Sequence, residues 1–220
     1  MARKDRTGNR KPRNSRLGQR VPEMGYYLIV TDTKETERCY FTGLRDSLPS
    51  NLRQKLIIKV VETTTKDLIQ KCIELVSYEP QYRIPWIVFD RDQVVDFDSI
   101  IEDAEKKGIN AGWSNPCFEI WMFGYFGKMP VIQDSWTGCR KFEEIYKNKT
   151  GLDYSKADKN IYKNLLKHGD ELKAISIAEQ KYKQCKDSGH IKASEMCPCT
   201  TVHELVKEIR DKVQVGECTS

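Results

Sequence analysis

The sequence predicts an α/β protein in which a mainly parallel sheet is flanked by helices and followed by a helical C-terminal portion. This prediction rests on two observations. Short runs of β-branched and aromatic residues alternate with segments of helical apolar spacing to about residue 128, and only helical patterns follow. Because strands separated by helices need crossover connections, their carboxyl ends should all lie at one edge of the sheet.

The segment 24–128 is expected to contain this sheet. Its strands are the apolar runs 26–31, 56–61 and 84–89. The first run is continuously β-rich and apolar, which is typical of a strand covered on both faces. Apolar residues at helical spacing predict helices over 36–48 and 64–78, and Thr64 and Asp67 are expected to cap the second helix.

Later elements follow from capping residues and apolar stripes. Ser99 and Glu102 predict a capping box for a further helix, and 108–112 are expected to form a fourth strand. Pro116 is expected to begin a helix that ends near Phe126. The portion 129–215 is expected to pack on the sheet as helices over 140–147, 157–167, 170–186 and 200–213.

Composition excludes a membrane span and disfavours secretion. The chain has 220 residues, 39% of them hydrophobic, and a mean hydropathy of −0.64. Its longest apolar runs fall far short of the ~20 residues that crossing a bilayer requires, and no apolar signal-peptide core follows Met1. A cytoplasmic protein with reduced cysteines is therefore expected.

Residues 1–23 are expected to form a disordered basic arm. Its composition offers too little apolar surface to offset the cost of ordering, whereas nucleic-acid phosphates would attract its charge. The alternative is a solubilising tail without a particular target. Asp5 is the one acidic residue among 1–20, against the basic residues Arg3, Lys4, Arg6, Arg10, Lys11, Arg13, Arg16 and Arg20.

Two carboxylates, Asp90 and Asp92, follow the third predicted strand. In an extended chain, side chains two apart face the same way, so both can address one point near the sheet edge. Oxygen donors in that arrangement suit Mg²⁺. The alternative is that Asp90 pairs with Arg91 or a distant basic residue while Asp92 caps a turn.

Further acidic residues follow the first strand and precede a later helix. Asp32 ends the first strand, near the crevice where open α/β sheets bind ligands, and could converge with Asp90. Glu35 is explained equally well by the preference for acids in the first turn of a helix. Glu119 would project from the helix that begins at Pro116, or would support a cap on a preceding polar residue.

Four motifs, in this order, resemble the signature of the RloB-like family. Residues 28–41, LIVTDTKETERCYF, resemble its opening LIVCEGExTExxYF, and 88–92, VFDRD, resemble its FDRD step. Residues 114–121, SNPCFEIW, are similar to its SNPCFExW, and 198–206, PCTTVHELV, to its closing NPSTxVxxLV. The resemblance spans about 24 to 210.

The resemblance implies a Toprim-like α/β layer in which an acidic residue after strand one and an Asp-x-Asp after a later strand surround Mg²⁺ or Mn²⁺. By position, Asp32 would be a general base or metal ligand, and Asp90 and Asp92 the metal pair. Glu119 would be a supporting acid, and Glu37 would lie at the mouth of the site.

The implied activity is metal-dependent hydrolysis of RNA, including tRNA, or of DNA, by an effector of bacterial anti-phage defence with an ATPase partner. One departure matters: Asp32-Thr33 stands where relatives have Glu-Gly, so the carboxylate is one methylene shorter. The alternative is therefore a catalytically impaired binding or adaptor subunit of a defence ATPase complex. A primase-like polymerase would need nucleotide-binding elements that this sequence lacks.

The cysteine-rich stretch near the C-terminus has two interpretations. Its thiols and imidazoles could bind zinc, although the paired C-x-x-C arrangement is missing. The alternative is a set of reduced thiols near a helix start, within a disordered connection over 186–199. The candidate zinc ligands are Cys185, His190, Cys197, Cys199 and His203.

Overall fold

The structure, a computed structural model, describes residues 24–32, 36–92 and 94–218. A five-stranded sheet forms the centre of the described chain. Its strands are β1 (Gly25–Thr31), β2 (Leu56–Glu62), β3 (Ile84–Asp90), β4 (Asn110–Asn115) and β5 (Cys199–Thr200). The strand order is β2-β1-β3-β4-β5; the first four strands are parallel, and β5 is antiparallel to β4. The predicted fold class is confirmed.

The helices divide between the two faces of this sheet. They are α1 (Thr36–Asp46), α2 (Leu68–Tyr78), α3 (Phe97–Lys106), α4 (Glu119–Phe123), α5 (Ser135–Thr150), α6 (Ile161–His168), α7 (Glu171–Asp187) and α8 (Val202–Cys218). Short 3₁₀ turns occur at Thr65–Asp67, Gly124–Phe126 and Ala193–Glu195. None of the helices in the described segments combines the length and apolar character that a membrane span needs.

Both faces of the central strands are buried, which explains their continuous hydrophobicity. In β1, Tyr27 and Ile29 pack into the core beneath α1, while Leu28 and Val30 pack into the core on the opposite face. The first of these cores also contains apolar residues of α4 to α8, such as Ile209. The portions 24–128 and 129–215 therefore share one core over the described residues.

The parallel register aligns the carboxyl ends of β1 and β3. Thr31, the last residue of β1, pairs with Val88, and the backbone N–H of Asp32 donates to the Val88 carbonyl at 3.3 Å. Asp90 in turn pairs with Ser114 of β4. The residues that follow β1 and β3 consequently reach the same edge of the sheet.

The prediction for the β4 region is wrong in two respects. The strand runs over 110–115 rather than 108–112, and helix α4 begins at Glu119 rather than at Pro116. Ser114 and Asn115 therefore belong to the sheet and do not cap a helix. The reason is a long-range pairing, since both residues are bonded to β5, and the Ser114 and Thr200 hydroxyls lie 2.9 Å apart.

Two capping predictions are also wrong. Helix α3 begins at Phe97, so Ser99 lies inside its first turn and forms no capping box with Glu102. Phe97 is 1% exposed and packs against Phe89, which fixes the earlier start. Before α2, the Thr64 hydroxyl donates to the Asp67 carboxylate at 2.6 Å rather than capping a backbone group.

The connection over 186–199, which one interpretation takes as disordered, is folded. The backbone N–H and hydroxyl of Ser194 both donate to the Asp98 carboxylate, at 2.9 and 2.5 Å. Met196 and Cys199 are buried in the core. This segment joins the helical portion to the edge of the sheet at α3.

A buried polar network joins α1 to the helical portion. The hydroxyls of Tyr125 and Tyr162 donate to one oxygen of Glu171, at 2.9 and 2.8 Å, and Arg210 pairs with the same carboxylate. The Tyr40 hydroxyl of α1 lies 2.7 Å from that of Tyr125. The network fixes the position of α1 against α7 and α8.

Replacing Glu171 with alanine should lower the free energy of unfolding strongly. The Glu171→Ala change leaves the guanidinium of Arg210 poorly exposed and without its partner, which typically costs about 3–5 kcal/mol. Chemical denaturation measures the loss. Glu179→Ala is the matched control on the same helix, because the Glu179–Lys207 pair is exposed and its loss should cost far less. Equal losses for the two variants would contradict the role of the network.

Candidate functional site

Three aspartates line one cavity at the carboxyl edge of the sheet. Asp32 follows β1, Asp90 ends β3, and Asp92 lies two residues further on. The cavity has a volume of about 600 Å³. Its other lining residues are Thr64, Thr65, Lys66, Val94, Val95, Asp96 and Ile100. The structure thus brings together the three predicted metal ligands, which come from two separate parts of the sequence.

The end of β4 and the residue that follows it hold the Asp-Arg-Asp turn in place. The backbone N–H of Arg91 donates to the Ser114 carbonyl at 2.9 Å, and that of Asp92 donates to the Pro116 carbonyl at 3.0 Å. Asp92 has a φ of +24°, a conformation that L residues rarely adopt. Such strain persists where the surrounding structure imposes it, and it is concentrated at functional sites.

Arg91 does not neutralise the aspartates beside it. Its guanidinium donates to the Ser194 carbonyl at 2.6 Å, and no basic side chain of the described segments forms an ion pair with Asp90 or Asp92. The alternative in which Asp90 pairs with Arg91 is therefore wrong. The two carboxylates remain available for a cation.

The carboxylate of Asp32 is only weakly hydrogen-bonded. One oxygen accepts a long hydrogen bond, 3.4 Å, from the Thr65 hydroxyl, and the other is buried without a partner among the described residues. Burial, and next the neighbouring Glu37 carboxylate, raise the pKa of Asp32 to about 7. A carboxyl group with this pKa can exchange protons near neutral pH.

Asp90 lies at the centre of five acidic side chains. Burial raises its pKa well above the ordinary value, and the carboxylates of Glu37, Asp32, Glu119 and Asp92 add to that rise in this order. Each of these groups disfavours ionisation of Asp90, as like charges do when they share a site. All five predicted catalytic residues therefore belong to one electrostatically linked group.

Glu37 and Glu119 form the buried side of this group. Glu37 is only 4% exposed, so the expectation that it lies at the mouth of the site is wrong. Glu119, 2% exposed, accepts a 2.7 Å hydrogen bond from the Tyr154 hydroxyl. That hydroxyl also lies 3.2 Å from Thr36 Oγ1. Both glutamates are held beneath the aspartates by the first turns of α1 and α4.

Sequence reasoning missed two residues that shape the site. Thr65 follows β2, and the rule that parallel strands end at one edge was a sufficient signal to place it near Asp32. Ser194, whose carbonyl holds Arg91, has no comparable signal, because 103 residues separate the two. Asn115 also donates to that carbonyl, at 3.3 Å.

The other predicted sites have different outcomes. The basic residues of the arm, from Arg3 to Arg20, lie outside the described residues. The candidate zinc ligands of the described chain form no set of three: Cys185 and Cys199 are in contact with each other. The Cys197 thiol donates to the Ile132 carbonyl, His190 is exposed, and His203 lies 3.0 Å from the Thr200 carbonyl. All eight cysteines are free thiols.

The fold and the site define an α/β protein with acidic residues gathered at the carboxyl ends of its parallel strands. The family model described as "RloB-like protein" matches residues 27–209, which is most of the chain. The chain therefore belongs to the RloB-like family, and the resemblance predicted from its motifs is confirmed. No curated protein and no solved structure gave a significant match.

Without metal, the protein should become less stable as the pH rises from about 4 to 7. Folding raises the pKa of Asp32 from 3.8 to about 7, so in this range the folded state holds a proton that the unfolded state has released. The unfolding free energy then falls with pH, by at most about 1.4 kcal/mol per pH unit for one proton. Asp32→Asn should make this slope shallower in denaturation curves recorded in chelator, while Asp90 and Glu171, whose pKa values burial also raises, still contribute to it.

The matched control for this measurement is Asp96→Asn. Asp96 lines the same cavity but is not among the carboxylates that raise the pKa of Asp32 or Asp90. The control should keep the wild-type slope. If Asp32→Asn also keeps it, the Asp32 carboxyl group does not carry the proton.

Proposed function

We propose that this chain is a metal-dependent nuclease that hydrolyses phosphodiester bonds of RNA, with tRNA as one candidate, or of DNA, as an effector of anti-phage defence. The observation that supports this proposal most is the convergence of Asp32, Asp90 and Asp92 on one cavity. The RloB-like family membership agrees with it. An ATPase partner and a cytoplasmic location stay predictions from the sequence.

The donor set fits Mg²⁺ or Mn²⁺, because it consists of carboxylate oxygens. One oxygen of Asp32 is buried without a hydrogen-bond partner in the described chain, and the mutual repulsion around Asp90 calls for a positive charge. Asp90 and Asp92 would hold the ion, and Asp32 would be either a further ligand or the general base. When bound, it would supply Lewis-acid polarisation of the scissile phosphate.

The side chains around the cavity suggest how hydrolysis could proceed. As the general base, Asp32 would accept a proton from the attacking water. Lys66 lines the same cavity and would attract the phosphate that is to be cleaved. The buried carboxylates of Glu37 and Glu119 raise the pKa of Asp90 and so favour its protonated form when no cation is bound.

The second candidate function is a non-catalytic adaptor of a defence ATPase. It is favoured by one specific observation, the Asp32-Thr33 pair in place of the Glu-Gly of relatives. The shorter carboxylate shifts the oxygen atoms by about an ångström, and displacements of that size can cost ~100-fold in rate. In that case the acidic cavity would remain without efficient hydrolysis.

Asp90→Ala and Asp92→Ala should each abolish cleavage of nucleic acid. The wild-type chain is incubated with labelled tRNA, single-stranded RNA and DNA in Mg²⁺ or Mn²⁺, and a chelator should stop the reaction. We expect a loss of at least about 100-fold, because each variant removes an oxygen donor to the ion. Asp96→Ala, in the same cavity, is the matched control and should stay active.

The outcomes of this assay separate the two candidates. Cleavage that persists in both aspartate variants would disprove the assigned site. If the wild-type chain binds nucleic acid without cleaving it while Asp32→Glu cleaves, the adaptor function is favoured, because the restored Glu recovers the chemistry.

Deleting residues 1–20 should weaken nucleic-acid binding and reduce its dependence on salt. The slope of log affinity against log salt becomes shallower by about 0.7 to 0.9 for every phosphate that the protein no longer neutralises. Fluorescence anisotropy over a salt series measures both quantities. A second variant, in which the eight basic residues are replaced by glutamine, keeps the length of the arm and removes only its charge. It should lose as much affinity and salt dependence as the deletion if the charge is responsible. An unchanged slope would favour the solubilising tail.

A further inference from the structure

A second cluster of potential metal ligands lies behind the acidic cavity. The sulfur atoms of Cys117 and Cys139 and a carboxylate oxygen of Glu119 all lie within 4.8 Å of one another. Cys117 and Glu119 are buried, and Cys139 is partly buried. This is the one set of three such ligands that the described residues contain at this spacing.

The close approach of α5 to the turn after β4 brings these three side chains together. Cys117 lies in the turn that connects β4 to α4, Glu119 is the first residue of α4, and Cys139 is on α5. Gly138 permits the close approach, because a Cβ at this position would lie 2.7 Å from the Cys117 sulfur. The Ser135 hydroxyl donates to the Pro116 carbonyl at 3.1 Å and ties the start of α5 to the same turn.

The carboxylate of the cluster is already oriented. The Tyr154 hydroxyl donates to Glu119 Oε1 at 2.7 Å, and α5 packs against Tyr154 through the rings of Phe142 and Tyr146. Hydrogen bonds of this kind from a second layer of residues commonly hold metal ligands in their binding orientation. One carboxylate oxygen therefore stays available to face the thiols.

The chemistry of these donors differs from that of the aspartate cavity. Two thiolates and a carboxylate suit zinc, whose bonds to sulfur and oxygen are about 2.3 and 2.0–2.2 Å. Ligand atoms of a tetrahedral site are then roughly 3.3–3.8 Å apart. Because the two sulfur atoms and the carboxylate oxygen already lie within 4.8 Å of one another, small side-chain rotations would bring them to that spacing. Mg²⁺ has no preference for sulfur and is not expected here.

We propose that Cys117, Glu119 and Cys139 form a binding site for a thiophilic divalent metal of the zinc class, with water or a further protein group as the fourth ligand. Both thiols release their protons when the metal binds. Because the two released protons offset the charge of the divalent ion, binding would leave the net charge beside the aspartate cavity unchanged. The site does not depend on nuclease activity.

Cobalt substitution tests this site directly. The full-length chain is titrated with Co²⁺ under reducing conditions, with excess Mg²⁺ present to compete for the aspartates. A saturable thiolate-to-cobalt charge-transfer band with one ion per chain is expected, and Zn²⁺ should displace it. If the wild-type chain gives no such band, the proposal is wrong.

Variants locate the ion. Cys139→Ser, at the partly buried position, should weaken Co²⁺ binding by at least about tenfold and reduce the band. Cys185→Ser is the matched control, since it removes a buried thiol that lies outside the cluster, and Asp90→Asn should also leave the band intact. A band that survives Cys139→Ser, or that disappears in Cys185→Ser, would overturn the assignment.

Thermal unfolding gives a second readout that does not depend on the spectrum. A ligand that binds only the folded state raises the unfolding temperature. Zn²⁺ should therefore stabilise the wild-type chain and Cys185→Ser but not Cys139→Ser, each compared with its own metal-free form. Equal stabilisation of all three proteins would place the ion elsewhere.

Discussion

The central constraint in this structure is the repulsion among carboxylates at one edge of the sheet. Asp90 ends a buried strand and is surrounded by Glu37, Asp32, Glu119 and Asp92, each of which raises its pKa. Groups placed in this way oppose their own ionisation, so the arrangement lowers stability unless protons or a cation compensate. The fold therefore gives up stability to keep an acidic centre, as proteins commonly do where they bind ions or carry out chemistry.

The rest of the molecule keeps this repulsive group from relaxing. The backbone N–H of Asp92 donates to the Pro116 carbonyl, and this bond holds Asp92 at a φ that L residues rarely adopt. Beneath it, Glu37 and Tyr40 lie one turn apart on α1. Tyr40 belongs to the network of tyrosines that leads to Glu171. The helical C-terminal portion thus contributes to the geometry of the acidic edge through α1, because both portions share one core.

Local patterns predicted what depends on neighbours in sequence. The apolar runs of β1, β2 and β3 and the parallel arrangement of these strands follow from hydrophobicity alone, and that arrangement already places Asp32 near Asp90. What escaped prediction depends on distant pairing. Strand β4 extends through Asn115 because it pairs with β5. The residues 108–115 alone do not indicate this partner, which lies 84 residues further along the chain. The burial of Glu37 escaped for a similar reason, since α1 packs against α6 of the C-terminal portion.

The position of the Arg91 side chain has a consequence for any shortened form of this protein. Its guanidinium donates to the Ser194 carbonyl and forms no ion pair with the adjacent aspartates. A fragment that ends before this carbonyl would leave a permanent positive charge without its partner close to two carboxylates. The arginine would then be free to pair with one of them and to compete with a divalent ion. In addition to covering the core, the C-terminal portion thus supplies the carbonyl that binds the Arg91 guanidinium.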